Sequence, residues 1–314
     1  MLNLGRLTVL HAVVQRGSFS AAAEALSYTQ SAVSQSIARL EAETGVQLIV
    51  RGRRGATPTA AGLALVDHAG RIFAEVAAAE AALVVATGER LSRLRVATFP
   101  SGGAALMPLA VARFRRAHPD VSLTLAEGEP DQIVPRLREG ELDLALLFEF
   151  PGAPARRRPR AGAGLRSVAL LEDPMDLALP AEHPLASRPA LTLADLRDEA
   201  WVQTSAASPC ARHVVRCCEE AGFVPDVAFE SDDYDTVQGL VAAGVGVALV
   251  PRLALGAGHP GIVVRALDPA SPRRQILVAT PAGVPFAPAA ATMVQVLTEV
   301  ARRHAEREAG PPAL

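Results

Sequence analysis

The spacing of apolar and polar residues divides the chain into four zones, the first of them helical in pattern. In GSFSAAAEAL, Ser18 is placed to cap a helix from Phe19 to Ala25, with Phe19, Ala22, Ala23 and Leu26 turned inward. A polar break at Ser27-Tyr28 follows. A second helix is expected to begin near Thr29, where Val33, Ile37 and Leu40 keep helical spacing and face a core. Gln30, Ser31, Ser34, Gln35 and Arg39 are then left on its outer face. LIVRGRRGATPT reads as two short extended pieces flanking Arg-Gly-Arg-Arg-Gly.

Residues 62–91 form one long helical pattern without proline. Leu65, Ala69, Ile72, Val76, Ala79, Leu83 and Ala86 alternate four- and three-residue steps, an a/d seam. A single amphipathic helix could bury that stripe on its own domain. On a connector, a seam this regular is expected to pair with a second chain.

From Arg93 onward strands and helices alternate. RLRVATF is a strand, PSGG a turn, and AALMPLAVARFRRAH a helix. VSLTLAE and LDLALLFEF are strands around the helix DQIVPRLREG, which implies a parallel sheet covered by helices on both faces. PGAPARRRPRAGAG (151–164) breaks the pattern as a loop. SVALLEDPMDLALP reads as two strands across a turn, AWVQT as a strand, and SPCARHVVRCCEEAG as a helix capped by Ser208 with Pro209 at its first position. VAFES, DDYDTVQGLVAAG and VGVALVP read as strand, helix and strand, and IVVRALD, RQILVAT and PAAATMVQVLTEVARRH supply two strands and a terminal helix.

Charge changes the picture at one end only. The chain has 314 residues and a net charge of −2, and all 31 of its basic residues are arginine. Residues 1–60 hold six arginines against three glutamates, a balance of +3 that leaves −5 for the rest. A polyanion-binding end on an acidic body is the expected reading. No apolar run is long enough to span a bilayer, and the amino terminus has no secretory signal pattern, so a cytoplasmic protein with no membrane partner is expected. The three cysteines, Cys210, Cys217 and Cys218, make no disulfide framework.

Short Ser and bidentate Gln side chains on a thin, alanine-rich helix suit the hydrogen-bonding edges of bases in a major groove. The arginines of the following hairpin would meet phosphates. The alternative is a solvated helix whose polar residues face only water. GSFSAAAEAL, SYTQSAVSQSIARLEAETGVQLIVR and GATPTAAG resemble the amino-terminal winged helix-turn-helix of LysR-type transcriptional regulators. FRRAHPDVSLTLAEG, GELDLALLF, ALLEDPMDLALPAEHPLA and LVAAGVGVALVP follow in family order, so the resemblance covers essentially the whole chain. The chain departs from the family pattern at Ser31, usually Pro, at Gln35 and Ser36, usually Arg and Gln, and at Ile49, usually Phe.

The resemblance implies an α/β protein in three parts. A winged helix-turn-helix spans residues 1–60 and a linker and dimerisation helix 61–91. A two-subdomain module of the periplasmic-binding-protein (type 2) kind spans 92–304, with a tail at 305–314. Its first subdomain is expected at 93–163 and 267–304, its second at 164–266. The DNA-contacting candidates are Ser18, Thr29, Gln30, Ser31, Ser34, Gln35, Arg39, Arg51, Arg53 and Arg54. Ligands in such sheets sit beyond the carboxyl ends of strands, where helix N-termini offer free N–H groups. The effector candidates are therefore Pro100, Ser101 and Gly102, facing Thr204 and Ser205, with Phe148 and Glu149 on the floor. Glu149 either lines the cleft, where it disfavours an anion, or points outward.

The expected function is an effector-responsive transcription regulator that binds double-stranded promoter DNA as a homodimer or homotetramer, without a cofactor. An enzyme is disfavoured, since G-x-S-x-G, Walker A, H-E-x-x-H and dinucleotide motifs are all missing. A solute-binding receptor would need a signal peptide. Asp232, Asp233 and Asp235 could suggest a metal, but acidic residues also favour a helix start. Cys210, near a helix start, raises redox sensing as a lesser alternative.

Overall fold

The computed structural model describes residues 2–26, 28–52, 55–86, 93–151, 164–256, 258–282 and 288–308. Arg53, Arg54 and the arginines at 156–158 and 160 lie outside these residues, as do the side chains of Arg51, Ala79, Leu83 and Ala86. Among the described residues, no helix is long and apolar enough to cross a membrane. The chain forms two compact units that part near Leu83.

The first unit opens with α1 (Leu4–Arg16), α2 (Phe19–Ala25) and α3 (Gln30–Thr44). Local chemistry sets their ends. The Ser18 hydroxyl accepts from the Ala21 amide, and Thr29 accepts from the Ala32 amide at 3.2 Å, each meeting a helix-start N–H that lacks a partner. Gly17 and Gly45 close α1 and α3 at φ +61° and +71°, a region that costs other residues more. Leu7, Leu10, Val13, Val33, Ile37 and Leu40 seal the core. An antiparallel hairpin follows, β1 (Ile49–Gly52) with β2 (Gly55–Pro58). The Glu41 carboxylate ties it to α3 by accepting from the Leu48 and Ile49 amides at 2.8 and 3.1 Å.

Helix α4 (Ala60–Ala86) is capped by Thr59, whose hydroxyl accepts from the Gly62 amide at 3.0 Å. Its expected seam divides. Ala69 is sealed, and Leu65 packs beside Val66 and Phe73 on the unit's own core. Ile72 and Val76, by contrast, stand 37 % and 40 % exposed.

The second unit contains β3 (Arg93–Thr98), α5 (Pro100–Ala105), α6 (Met107–Ala117), β4 (Ser122–Glu127), α7 (Pro130–Arg138) and β5 (Leu144–Glu149). It continues through β6 (Leu165–Pro180), β7 (Ala200–Gln203), α8 (Pro209–Glu220), β8 (Asp226–Glu230), α9 (Tyr234–Ala242), β9 (Ala248–Pro251) and α10 (Arg252–Leu255). The strands β10 (Ile262–Arg265) and β11 (Arg273–Pro281) and the helix α11 (Pro288–Glu308) complete it. PSGG, expected as a turn, is already helical: Pro100 sits at the first position of α5, where its missing N–H costs nothing.

The sheet runs β10-β6-β11-β5-β3-β4, and β9 also pairs with β6. It is mixed rather than parallel. Within it, among the described residues, β3-β4 and β3-β5 are the parallel pairs, while β11 lies antiparallel between β5 and β6. LLEDPMD does not turn either, because β6 is one strand of 16 residues. Its Pro174 stands where pairing passes from β11 to β9, so the absent N–H interrupts neither ladder. The first half of β6 thus belongs to the sheet of β3, β5 and β11, and its second half joins β9 and β10. The Trp201–Val247 bridge ties the parallel β7-β8 pair to the residue just before β9.

Candidate functional site

Two surfaces carry the candidate chemistry. On α3, Gln30, Ser31, Gln35 and Arg39 are exposed and Ser34 is half-buried, while Val33, Ile37 and Leu40 on the opposite side are fully buried. The capping side chain of Thr29 also meets the Ser31 hydroxyl at 3.0 Å, which draws two small polar groups together at the amino end of the helix. Ser18, half-buried, serves as a cap for α2. Tyr28, read from sequence only as part of a break, is 57 % exposed beside this end. Arg51 lies in β1, and Arg53 and Arg54 are outside the described residues.

The second surface lies where β3, β5, β6 and β11 meet α5 and α8. Arg274, on β11, is 1 % exposed and stands directly across from Asp173 on β6. Its Nε donates to Asp173 Oδ2 at 2.9 Å and its Nη2 to Ser101 Oγ at 2.7 Å, while Nη1 lies 3.6 Å from Cys210 Sγ. The guanidinium also lies over the rings of Phe99 and Phe148, at 4.9 and 4.7 Å from their centres. Asp173 Oδ1 accepts from the Leu253 amide at 3.1 Å. Burial opposes the charge on Arg274 most strongly, but Asp173, Cys210 and Tyr234 together outweigh it and the group stays more basic than a free guanidinium.

Of the expected effector residues, Ser101 and Phe148 join this cluster directly. Pro100 starts α5, and Gly102 is required there: a Cβ would lie 2.7 Å from the Phe99 ring and 2.8 Å from Leu146. Glu149 does not join. Strand alternation groups Phe148 with Leu144, Leu146 and Phe150, whereas Ala145 and Leu147, on the side of Glu149, pack elsewhere. Thr204 is buried at the end of β7, and the Ser205 amide donates to Asp232 Oδ1 at 2.9 Å. Asp233 caps α9 by accepting from the Asp235 amide and the Thr236 hydroxyl, so two of the three clustered aspartates have structural partners of their own.

Sequence reading left out Arg274, Asp173, Glu129 and Tyr234. A signal for Arg274 existed: in RQILVAT it falls in step with Ile276 and Val278, on a face that is otherwise buried. Glu129 precedes α7, and burial pushes its carboxyl up to about 7, with Arg274 pulling it back and Asp131 and Asp232 adding to the rise. Burial also raises the Cys210 thiol, and raises Cys217 to about 11 and Cys218 to about 12. These thiols are held protonated, the opposite of the lowered values that make a cysteine reactive.

A winged helix-turn-helix followed by an α/β module that holds a buried polar cluster is the architecture of a ligand-responsive DNA-binding regulator. Comparison with known proteins agrees. Residues 4–63 match the family described as bacterial regulatory helix-turn-helix protein, lysR family, and residues 87–302 match the LysR substrate binding domain. The chain belongs to the LysR family: it is a DNA-binding transcriptional regulator and not an enzyme. It is 30 % identical over 270 residues to the HTH-type transcriptional regulator AlsR of Bacillus subtilis, spanning 85 % of this chain and 86 % of AlsR. It is 29 % identical to the dual regulator OxyR of Escherichia coli, over 88 % of each chain. A full-length OxyR variant from Pseudomonas aeruginosa shares the fold at TM-score 0.62 and 24 % identity, over 96 % of this chain and 95 % of that one. Full-length CbnR in complex with its target DNA does so at TM-score 0.54 and 22 % identity, over 95 % of this chain and 100 % of that one.

Proposed function

We propose that α3 reads base edges through Gln30, Ser31, Ser34, Gln35 and Arg39, that the hairpin arginines Arg51, Arg53 and Arg54 meet phosphates, and that Ser18 and Thr29 hold the helix ends against the backbone. The observation that carries this reading is the exposed polar row on a capped helix whose other face is fully buried. Two chains pair along α4, where Ile72 and Val76 are uncovered, and set two such helices on half-sites. A small molecule bound beside Ser101, Gly102, Phe148, Thr204 and Ser205 then biases the arrangement of the pairs, which it can do only by binding one arrangement better than another. The protein works in the cytoplasm, where its operator lies.

The test is footprinting and gel-shift titration on the DNA upstream of its own gene. Gln30→Ala should lower discrimination at one base position by about 1–3 kcal/mol while leaving non-specific binding intact. Arg53→Ala should weaken binding to every sequence alike and make the salt dependence shallower by about one ion. Equal losses on all sequences for both variants would remove α3 from the groove.

A further inference from the structure

Several groups in the cleft that suit an anion are already engaged by the chain's own side chains. The Ser205 amide holds Asp232 Oδ1 at 2.9 Å, and the Ala206 amide holds Glu230 Oε2 at 3.2 Å. Arg274 is engaged by Asp173, Ser101 and Cys210. Arg212 of α8 faces Asp131 of α7 at 3.7 Å. Unmet acceptors stand near them. Among the described residues, Glu129 Oε2 and Gln203 Oε1 are both enclosed with no hydrogen-bond donor. Gln203 is only 7 % exposed, ends β7 directly before Thr204, and shares a strand face with Trp201, which packs in one cluster with Cys210. Glu129 is close enough to Arg274, Cys210 and Tyr234 to influence the ionisation of the last two. Buried acceptors are almost always met by donors in folded proteins. The two are linked through Asp232, which acts on Glu129 and accepts from the Ser205 amide, two residues beyond Gln203.

We propose that the cleft takes a small organic cation bearing N–H donors, an ammonium or guanidinium group, with Glu129 and Gln203 as its acceptors. This rests on the reading of the cleft as the effector site, and it gives that site a ligand class. The neighbourhood agrees: Asp131 and Asp232 face Glu129 from α7 and from the loop before α9, against Arg274 on β11 and Arg212 on α8. Cys210 and Tyr234, the other titratable groups facing it, stay protonated because burial raises both. A cation gains most from the ionised carboxylate. Since the Glu129 carboxyl lies at about 7, its ionised fraction is about tenfold smaller at pH 6 than at pH 8.

Agmatine, which carries both groups and stays charged across this range, is the probe, titrated calorimetrically into the full-length protein beside benzoate and inorganic phosphate. Millimolar or tighter agmatine binding is expected, about tenfold weaker at pH 6 than at pH 8. Glu129→Gln should weaken it at least tenfold and abolish the pH dependence, and Gln203→Leu should weaken it too. The unliganded Glu129→Gln protein should unfold at a higher temperature than the parent at pH 8, so lost binding is not lost folding. Failure of agmatine to bind, or binding indifferent to Glu129→Gln, overturns the cation assignment. Benzoate or phosphate binding that Ser101→Ala abolishes overturns it as well, while leaving the cleft as the effector site. Binding of any of the three that ignores Ser101→Ala, Thr204→Val and Glu129→Gln alike removes the cleft reading itself.

Discussion

Arg274→Met is expected to lower the stability of the second unit by about 3–5 kcal/mol, read from the shift of a urea unfolding curve. The cost comes from what is left behind. Asp173 has a fully buried side chain, and after the change its carboxylate keeps only the Leu253 amide as a donor. The Ser101 hydroxyl loses its guanidinium partner at the same time. Replacing both partners by apolar residues should be far milder, because an unpaired buried charge costs more than the pair gives. Arg274→Met with Asp173→Leu should therefore recover most of the loss. A single change costing less than about 1 kcal/mol would place the pair at the surface and dissolve the cluster described around it.

Gly62→Ala carries the second large effect, in the DNA-binding unit. A Cβ at Gly62 would lie 2.1 Å from the Leu48 carbonyl oxygen, which is backbone and cannot swing aside. That carbonyl accepts from the Thr59 amide at 2.9 Å, and the Leu48 and Ile49 amides are held by Glu41 of α3. Making room therefore moves the hairpin, the start of α4 and the tie to α3 together. A loss of about 3 kcal/mol is expected, at the upper end for overpacking, with operator affinity falling as well. Gly70, also inside α4, meets nothing within 4 Å of its would-be Cβ. Gly70→Ala should instead stabilise the helix by about 0.5–1 kcal/mol. Thermal unfolding of the two variants side by side checks the pair, and equal behaviour would mean that α4 does not lie against Leu48.

The same contrast divides what could be read early from what could not. The polar face of α3 was legible because everything that shapes it is local: Thr29 and Gly45 set its ends, and Val33, Ile37 and Leu40 repeat at helical spacing. At LLEDPMD the local signal pointed to a turn, yet β11 and then β9 hold one strand through it. Pairing along two successive partners outweighed the preference of Asp-Pro for a bend. Phe148 and Glu149 had to face opposite ways by alternation alone, but which side met Arg274 depended on the pairing of β11 with β5 and the packing of α5.

The sequence by itself determined the winged helix-turn-helix, the long helix and the alternating strands and helices, since caps, glycines and apolar periods act within a few residues of themselves. Only the tertiary structure decided the chemistry of the cleft. Arg274 and Asp173 are 101 positions apart and meet through the register of two antiparallel strands. Glu129 stands before α7 and Gln203 at the end of β7, and their lack of donors exists only once both are enclosed. Side-chain pattern carries local form, whereas burial and long-range register set which charges meet and which are left waiting for a ligand.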